Sequence, residues 1–74
     1  MKRVSRGRCL LPYLLAARGL NQTDYAIKSG RSQRMISHFC TNERIMLPED
    51  MYTASKILKC KMEDLYEWIE QDAD

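Results

Sequence analysis

Apolar side chains recur every three or four residues along most of this chain, which is the spacing of helices that bury one face. The pattern predicts five helices, over residues 11–18, 22–29, 33–40, 48–58 and 62–70, joined by short loops. The expected fold is therefore all-α, a compact domain of five helices. The apolar residues that mark the buried faces are Leu11, Leu14 and Leu15; Ala26; Ile36 and Phe39; Met51, Ala54 and Leu58; and Met62, Leu65 and Ile69.

The second and third predicted helices are separated by a tight bend. Ala26 is small where the two helices cross, and Gly30 can adopt the left-handed conformation that ends the first of them. Ile36 and Phe39 then face inward from the second. This spacing indicates a helix-turn-helix, the arrangement that presents its second helix to the major groove of DNA. An ordinary helical hairpin that binds nothing is the alternative.

The residues around this bend include two capping candidates and two departures from the usual pattern. Asn21 and Ser32 are good N-caps for the two helices. Ser29 and Arg31 flank Gly30 where apolar residues would close the turn onto the core. A looser or more polar turn is therefore expected.

The length of 74 residues indicates a single domain. Residues 1–8 carry four bases and are expected to form a flexible N-terminal arm, residues 9–70 the folded domain, and residues 71–74 a frayed acidic tail. Such an arm can follow a DNA backbone or enter a minor groove, or it can be only a disordered, solubilising end. Because small domains often gain stability by association, self-association is also expected.

The net charge of +2 conceals a strong asymmetry along the chain. Residues 1–44 hold nine bases against two acids, whereas residues 45–74 hold three bases against eight acids. The basic half coincides with the helix-turn-helix, as expected for a surface that binds phosphates. Chance segregation on a solvated surface is the alternative.

Several other functions find no support in the sequence. No apolar run approaches the ~18 residues of a membrane span, so no membrane association is expected. Cys9, Cys40 and Cys60 are widely spaced without a CxxC motif, which favours reduced thiols in a cytoplasm, with Cys60 the most buried. His38 has no partner for metal binding or catalysis. We therefore expect no enzymatic activity, no metal and no cofactor.

Taken together, these features resemble the lambda-repressor-like DNA-binding domain of the Cro/C1 type, also called the XRE family. The resemblance implies a sequence-specific transcriptional regulator, with a repressor favoured, of the kind found in bacteria and phages and usually dimeric. It covers about residues 11–65. The residues that carry it are RGLNQ at 18–22, Ala26, Gly30, Ser32, Ile36 with Ser37, and ILKCKMEDL at 57–65.

The resemblance also implies which side chains contact double-stranded DNA. Arg34 suits the two acceptors of a guanine edge, and Gln33 suits adenine. Asn42 replaces the Gly common in the family, and Cys40 stands where an acid is frequent. The implied base contacts are Gln33, Arg34, Ser37 and His38, and the implied phosphate contacts are Gln22, Arg31, Ser32, Thr41, Asn42 and Arg44.

The predicted last helix offers the best candidates for a subunit contact, because it needs only one stripe for the core. Tyr66, Trp68 and Ile69 are the residues proposed for this homodimer contact. Two alternative functions remain open: a DNA-binding antitoxin that masks a toxin through its acidic C-terminal helix, and a protein-interaction module that does not bind DNA. The basic residues at 31, 34 and 44 argue against the second.

Overall fold

A computed structural model describes residues 2–72 as a helical body with a two-stranded antiparallel sheet that joins the two ends of the chain. A 3₁₀ helix, Met62–Leu65, leads into the second strand. The other elements, in chain order, are β1 (Lys2–Cys9), α1 (Leu11–Ala17), α2 (Gln22–Ser29), α3 (Gln33–Cys40), α4 (Pro48–Leu58) and β2 (Tyr66–Asp72).

The first four predicted helices are confirmed, and their apolar faces form one core. The fully buried side chains of this core include Leu11 of α1, Tyr25 of α2, Ile36 of α3 and Leu58 of α4. Burial of the phenol, with a smaller effect of the nearby Asp50 charge, raises the pKa of Tyr25 to about 12. Within residues 2–72, no helix combines the length and apolar character needed to cross a bilayer.

The prediction of a five-helix, all-α fold is wrong at its last element. Only Leu65 of the expected apolar stripe is buried, while Met62 and Ile69 are exposed. The chain makes a single 3₁₀ turn, capped where the Lys61 N–H donates to Asp64 Oδ2 at 3.0 Å, and then extends. From Tyr66 onward the residues pair with β1, and their aromatic and β-branched side chains suit a strand.

Strand β1 occupies the segment that was expected to be a flexible arm. It pairs with β2 from Lys2 opposite Asp72 to Cys9 opposite Tyr66. The expected frayed tail begins inside β2, since residues 71 and 72 belong to the strand, while residues 1, 73 and 74 lie outside the described part of the chain. We call this pair of strands the terminal ribbon. Its outer part is exposed on both faces.

The base of the terminal ribbon is fixed to the helical body. The Cys9 N–H donates to Asn42 Oδ1 at 2.9 Å, and the Met46 N–H donates to the Tyr66 hydroxyl at 3.0 Å. Cys9 is buried, which raises the pKa of its thiol, whereas Cys60 is only partly buried. The expectation that Cys60 is the most buried cysteine is therefore wrong, because the strand pairing carries Cys9 into the core.

The ribbon also brings together the opposite charges of the two chain ends. Strand β1 carries four bases and β2 three acids. Arg8 Nε lies 2.7 Å from Glu67 Oε1, and Lys2 Nζ lies 3.8 Å from Glu70 Oε2. Much of the positive charge expected for a DNA-binding arm is therefore balanced inside the ribbon itself.

Gly7 lies in a β-bulge, and replacing it should disturb the ribbon. Gly7 and Arg8 together face Glu67, and a Cβ on Gly7 would lie 2.8 Å from Glu67 Cβ and 3.2 Å from its backbone oxygen. We expect Gly7→Ala to lower the free energy of unfolding by about 1–3 kcal/mol, the usual cost of overpacking. Urea unfolding, with hydrogen exchange of the β1 amides, measures this loss. The exposed neighbour change Ser5→Ala is the control, and equal stability of the two variants would contradict the steric argument.

Candidate nucleic-acid interface

Helix α3 presents one polar face to solvent and one apolar face to the core. Ile36 and Phe39 are buried, as predicted. Gln33 and Arg34 are exposed, and Ser37 and His38 are partly exposed on the same side of the helix. Positions 33, 34, 37 and 38 follow helical spacing, so all four expected base-contacting side chains lie on one face.

Gln22, from the start of α2, joins this face. It lines the same shallow depression as Gln33, Arg34, Ser37 and His38. Its lining is polar or basic, and the nearest acid described, Glu43, lies beside His38 at the end of α3. The structure therefore brings together one expected phosphate contact and the four expected base contacts.

The start of α3 is organised as the sequence predicts. Gly30 ends α2 in the left-handed conformation, with φ of 77°, and Ser32 caps α3 by accepting the Met35 N–H at 3.1 Å. Asn21 caps α2 in the same way, accepting the Asp24 N–H at 2.7 Å. Because a hydroxyl keeps its proton while accepting, Ser32 can still donate to a phosphate at the positive end of α3.

The turn itself is polar but well defined. The Ser29 hydroxyl donates to the Ala26 carbonyl and accepts the Arg31 N–H, each at 3.3 Å. These two hydrogen bonds close the turn at Ser29 and Arg31, the positions where apolar residues are usual. The turn is thus closed by hydrogen bonds at the end of α2 and by the Arg31 side chain, which reaches to Asp50 of α4.

Arg31 is held by Asp50, in the first turn of α4. Its Nε and Nη2 atoms both lie 2.7 Å from Asp50 Oδ1, and Asp50 Oδ2 accepts the Leu47 N–H at 3.1 Å. Asp50 is only 7% exposed, so nearly all of its charge is balanced by these partners. One carboxylate therefore connects the turn before α3 to the start of α4.

Arg31 and Arg44 line a second groove, on the other side of α3 from Gln22. Exposed Ile45 and Leu47 complete its edge. Arg31 is bound on one side of its guanidinium, and its side chain is still 43% exposed, so its remaining N–H groups face solvent. Two expected phosphate contacts thus lie together, beyond the polar face of α3.

Thr41 and Asn42 already have partners inside the protein. The single hydroxyl proton of Thr41 has the Ser37 carbonyl and Glu43 Oε1 within 3.1 Å. Asn42 adopts φ of 66° and uses its Oδ1 atom to hold the Cys9 N–H. Its Nδ2 group is the donor that remains for a phosphate. Both residues shape the loop after α3; Asn is one of the residue types suited to end a helix in this way, whereas the bonds of Thr41 were not indicated by the sequence.

His38 lies beside an acid rather than a second metal ligand. Its Nε2 atom is 3.7 Å from Glu43 Oε2, and its backbone carbonyl accepts the N–H groups of Glu43 and Arg44. Among residues 2–72, no group of three or more histidine, cysteine or acidic side chains is arranged to hold a metal ion. His38 therefore orders the loop that follows α3, while its ring stays partly exposed on the polar face of the helix.

The three residues expected at a subunit contact lie in different surroundings. Tyr66 is buried and belongs to the core, so its ring is not available to a second subunit. Trp68 is 44% exposed, but its Nε1–H donates to the Glu63 carbonyl at 2.7 Å. Ile69 is exposed on the other face of β2. Only Trp68 and Ile69 are thus accessible.

The sequence reading missed Asp50 as a residue that organises the interface. From sequence alone, Glu49 and Asp50 are expected only to favour the positive end of the α4 dipole. The sequence offered one signal. Arg31 is a charged residue in the turn, where an apolar residue is usual, and Asp50 is a second acid in the first turn of α4 that could balance its charge. Arg31 and Asp50 satisfy each other, and neither would be stable there alone.

Removing the Asp50 charge should destabilise the fold around α3. We expect Asp50→Asn to lower the free energy of unfolding by about 1.5–3 kcal/mol, because hydrogen bonds to charged groups contribute that much. Glu49→Gln removes the neighbouring exposed charge and should change stability by less than about 0.5 kcal/mol. Thermal and urea unfolding compare the two variants. Equal losses would mean that the helix dipole, not the bond to Arg31, accounts for the effect of Asp50.

Comparison with known proteins agrees with this geometry. Neither the curated proteins nor the solved structures include a significant match to the chain. A protein-family model, described as the Cro/C1-type HTH DNA-binding domain, matches residues 11–71. The match includes both helices of the bend, the loop after them and the other elements that form the core, from α1 to most of β2. The chain therefore belongs to the Cro/C1-type helix-turn-helix DNA-binding family.

Proposed function

We propose that this DNA-binding protein is a sequence-specific transcriptional repressor that inserts α3 into the major groove. The observation that carries the proposal is the single exposed face formed by Gln22, Gln33, Arg34, Ser37 and His38. These side chains offer donors and acceptors of the kinds that read base edges. Binding within a promoter would exclude other proteins from the same groove, which is the simplest way for a small DNA-binding domain to repress.

Arg34 is the main candidate for reading a base. It is exposed and forms no ion pair among residues 2–72, so its guanidinium is free to donate two parallel bonds to a guanine edge. Gln33, one position earlier, suits the donor and acceptor pair of adenine. Ser37 and His38, one turn further along, would meet neighbouring base pairs.

Phosphate contacts are proposed on both sides of this face. Gln22 stands at the start of α2 on one side, and Arg31 with Arg44 on the other. The Ser32 hydroxyl and the first amides of α3 add a site for a phosphate between them. Asn42 and Thr41 would take part through the Nδ2 group of the first and a reoriented hydroxyl of the second.

A homodimer is proposed because two copies would read the two halves of a symmetric operator. Ile69 is 46% exposed on one face of the terminal ribbon, and Val4, at 60% exposure, lies with the edge of Trp68 on the opposite face, so a second copy would cover the Ile69 face. An isolated two-stranded sheet with both faces exposed is marginally stable in water, so covering it with a second copy would stabilise it. Tyr66 would support this contact from within the core.

The antitoxin alternative loses its main support. It depended on an acidic C-terminal helix, and residues 66–72 form a strand whose Glu67 and Glu70 are paired with bases of β1. The acidic surface that a toxin would recognise is therefore largely balanced within the chain.

Selection of bound sequences from a random duplex library, at near-physiological salt, tests the DNA-binding proposal. We expect a two-fold symmetric motif for the native protein. Arg34→Ala should weaken binding to that motif by about 1–3 kcal/mol and relax preference at one base pair per half-site. Lys56→Ala removes an exposed charge on α4, away from the interface, and serves as the control. A selection profile that Arg34→Ala leaves unchanged would refute the reading role.

The proposed subunit contact is tested by replacing Ile69, whose side chain is exposed and lies outside the core. Ile69→Ser should raise the dimer dissociation constant at least tenfold, because burying one such side chain contributes about 1.5–3 kcal/mol. Ile27→Ser, at an even more exposed position on α2, is the matched control. Sedimentation equilibrium compares the two. Unaltered association of the Ile69 variant would place the interface elsewhere.

A further inference from the structure

A further groove, separate from the two described above, lies where α1, α2 and α4 end. It is open to solvent and has a volume of about 560 Å³, within the range of ~300–1,000 Å³ that small-molecule sites occupy. Its lining consists of Arg18, Leu20, Lys28, Ile57, Leu58 and Lys59. We call it the cationic groove.

The cationic groove is remote from the proposed DNA-binding face. Gln22, which lines that face, begins α2, whereas Lys28 lies near the other end of the same helix. Six residues separate them, roughly 9 Å along a helix axis. The two depressions share no lining residue. Contact between the polar face of α3 and the operator therefore does not explain the cations of this groove.

The floor of the groove is apolar and its rim is positively charged. Leu20 and Ile57 are partly exposed there, above the buried Leu58. Within residues 2–72, Arg18, Lys28 and Lys59 form no ion pair with any carboxylate. Three like charges around one apolar floor repel each other, and an anion placed between them would relieve that repulsion.

Helix dipoles do not account for all of this charge. Arg18, Lys28 and Lys59 each stand at or near the C-terminus of a helix, where roughly half a negative charge is concentrated. Three such termini balance about half of the three full positive charges. A net positive potential remains over the groove, and it favours an anion.

The backbone positions one of the three cations directly and sets where a second side chain begins. Lys59 caps α4 in the left-handed conformation, with φ of 55°, which costs a residue with a Cβ about 1–2 kcal/mol. At the corresponding end of α1, Gly19 adopts that conformation without the penalty. Arg18 Nε donates to the Leu58 carbonyl at 2.8 Å, which fixes the orientation of its guanidinium.

We propose that the cationic groove binds a small amphipathic carboxylate. The carboxylate would lie between Lys28, Lys59 and the free N–H groups of Arg18, and the apolar body would cover Leu20 and Ile57. A small molecule suits the site better than a protein segment, because the three cations surround one short floor and so meet a single anionic head. This site is independent of the DNA-binding proposal.

Octanoate is the probe, with 1-octanol as the uncharged match and acetate as the anion without an apolar body. In ¹H–¹⁵N spectra of the full chain, we expect saturable shifts for amides of residues 18–20, 28 and 57–59 with octanoate. Octanol and acetate should each bind at least about fivefold more weakly, because each lacks one half of the interaction. Equal binding of octanoate and octanol, or shifts scattered over the whole surface, would overturn the proposal.

Variants locate the site without relying on a destabilised protein. Lys28→Gln and Lys59→Gly should each weaken octanoate binding roughly two- to fivefold, the effect of one exposed charge pair. Lys59→Gly should also melt at the same temperature or higher, since glycine relieves the left-handed strain, so its loss of binding cannot reflect unfolding. Lys56→Gln, on the same helix outside the groove, should bind octanoate normally. Equal affinity of all three variants would refute the site.

Discussion

A buried carboxylate, Asp50, is the group on which the geometry of the interface depends. Its low exposure would be costly for a lone charge, and it is stable only because the Arg31 guanidinium and the Leu47 N–H share its two oxygens. The same pair therefore fixes the turn before α3 against the start of α4. The orientation of the polar face of α3 depends on this contact, since α3 begins two residues after Arg31. Arg31 thereby combines a structural bond with a position close to the proposed phosphate path.

The terminal ribbon gives the charge asymmetry of the sequence a structural meaning. The basic and acidic ends of the chain lie side by side, because they pair with each other in β1 and β2, and Lys2 and Arg8 form ion pairs with Glu70 and Glu67. What remains for DNA is the smaller set of cations on the helical body, Arg31, Arg34 and Arg44 among them. The ribbon also contributes to the core, since Cys9 and Tyr66 at its base are buried.

The sequence predicted what depends on local signals. The four helices, the caps Asn21 and Ser32, the left-handed Gly30 and the exposed face of α3 all follow from residues within one or two turns of each other. The strands did not follow, because the partner of each lies some sixty residues away and the spacing of Met62, Leu65 and Ile69 imitates a helix. Complementary charge at the two ends, with tyrosine, tryptophan and isoleucine in residues 66–69, was the signal that was available. The bond between Arg31 and Asp50 was missed for the same reason, since it joins two elements through their side chains.

The pairing of Cys9 with Tyr66 has a consequence for the order in which the protein folds. Contacts within each helix and between neighbouring helices such as α2 and α3 are short in sequence, and such contacts form quickly. Closing a loop of more than fifty residues carries a larger entropic cost, so the ribbon forms after the helices have met. Without residues 65 and 66, the helical body would leave its core open beside Cys9 and Leu10. Leu65 and Tyr66 close it, because the Leu10 N–H donates to the Leu65 carbonyl at 2.7 Å and Tyr66 pairs with Cys9.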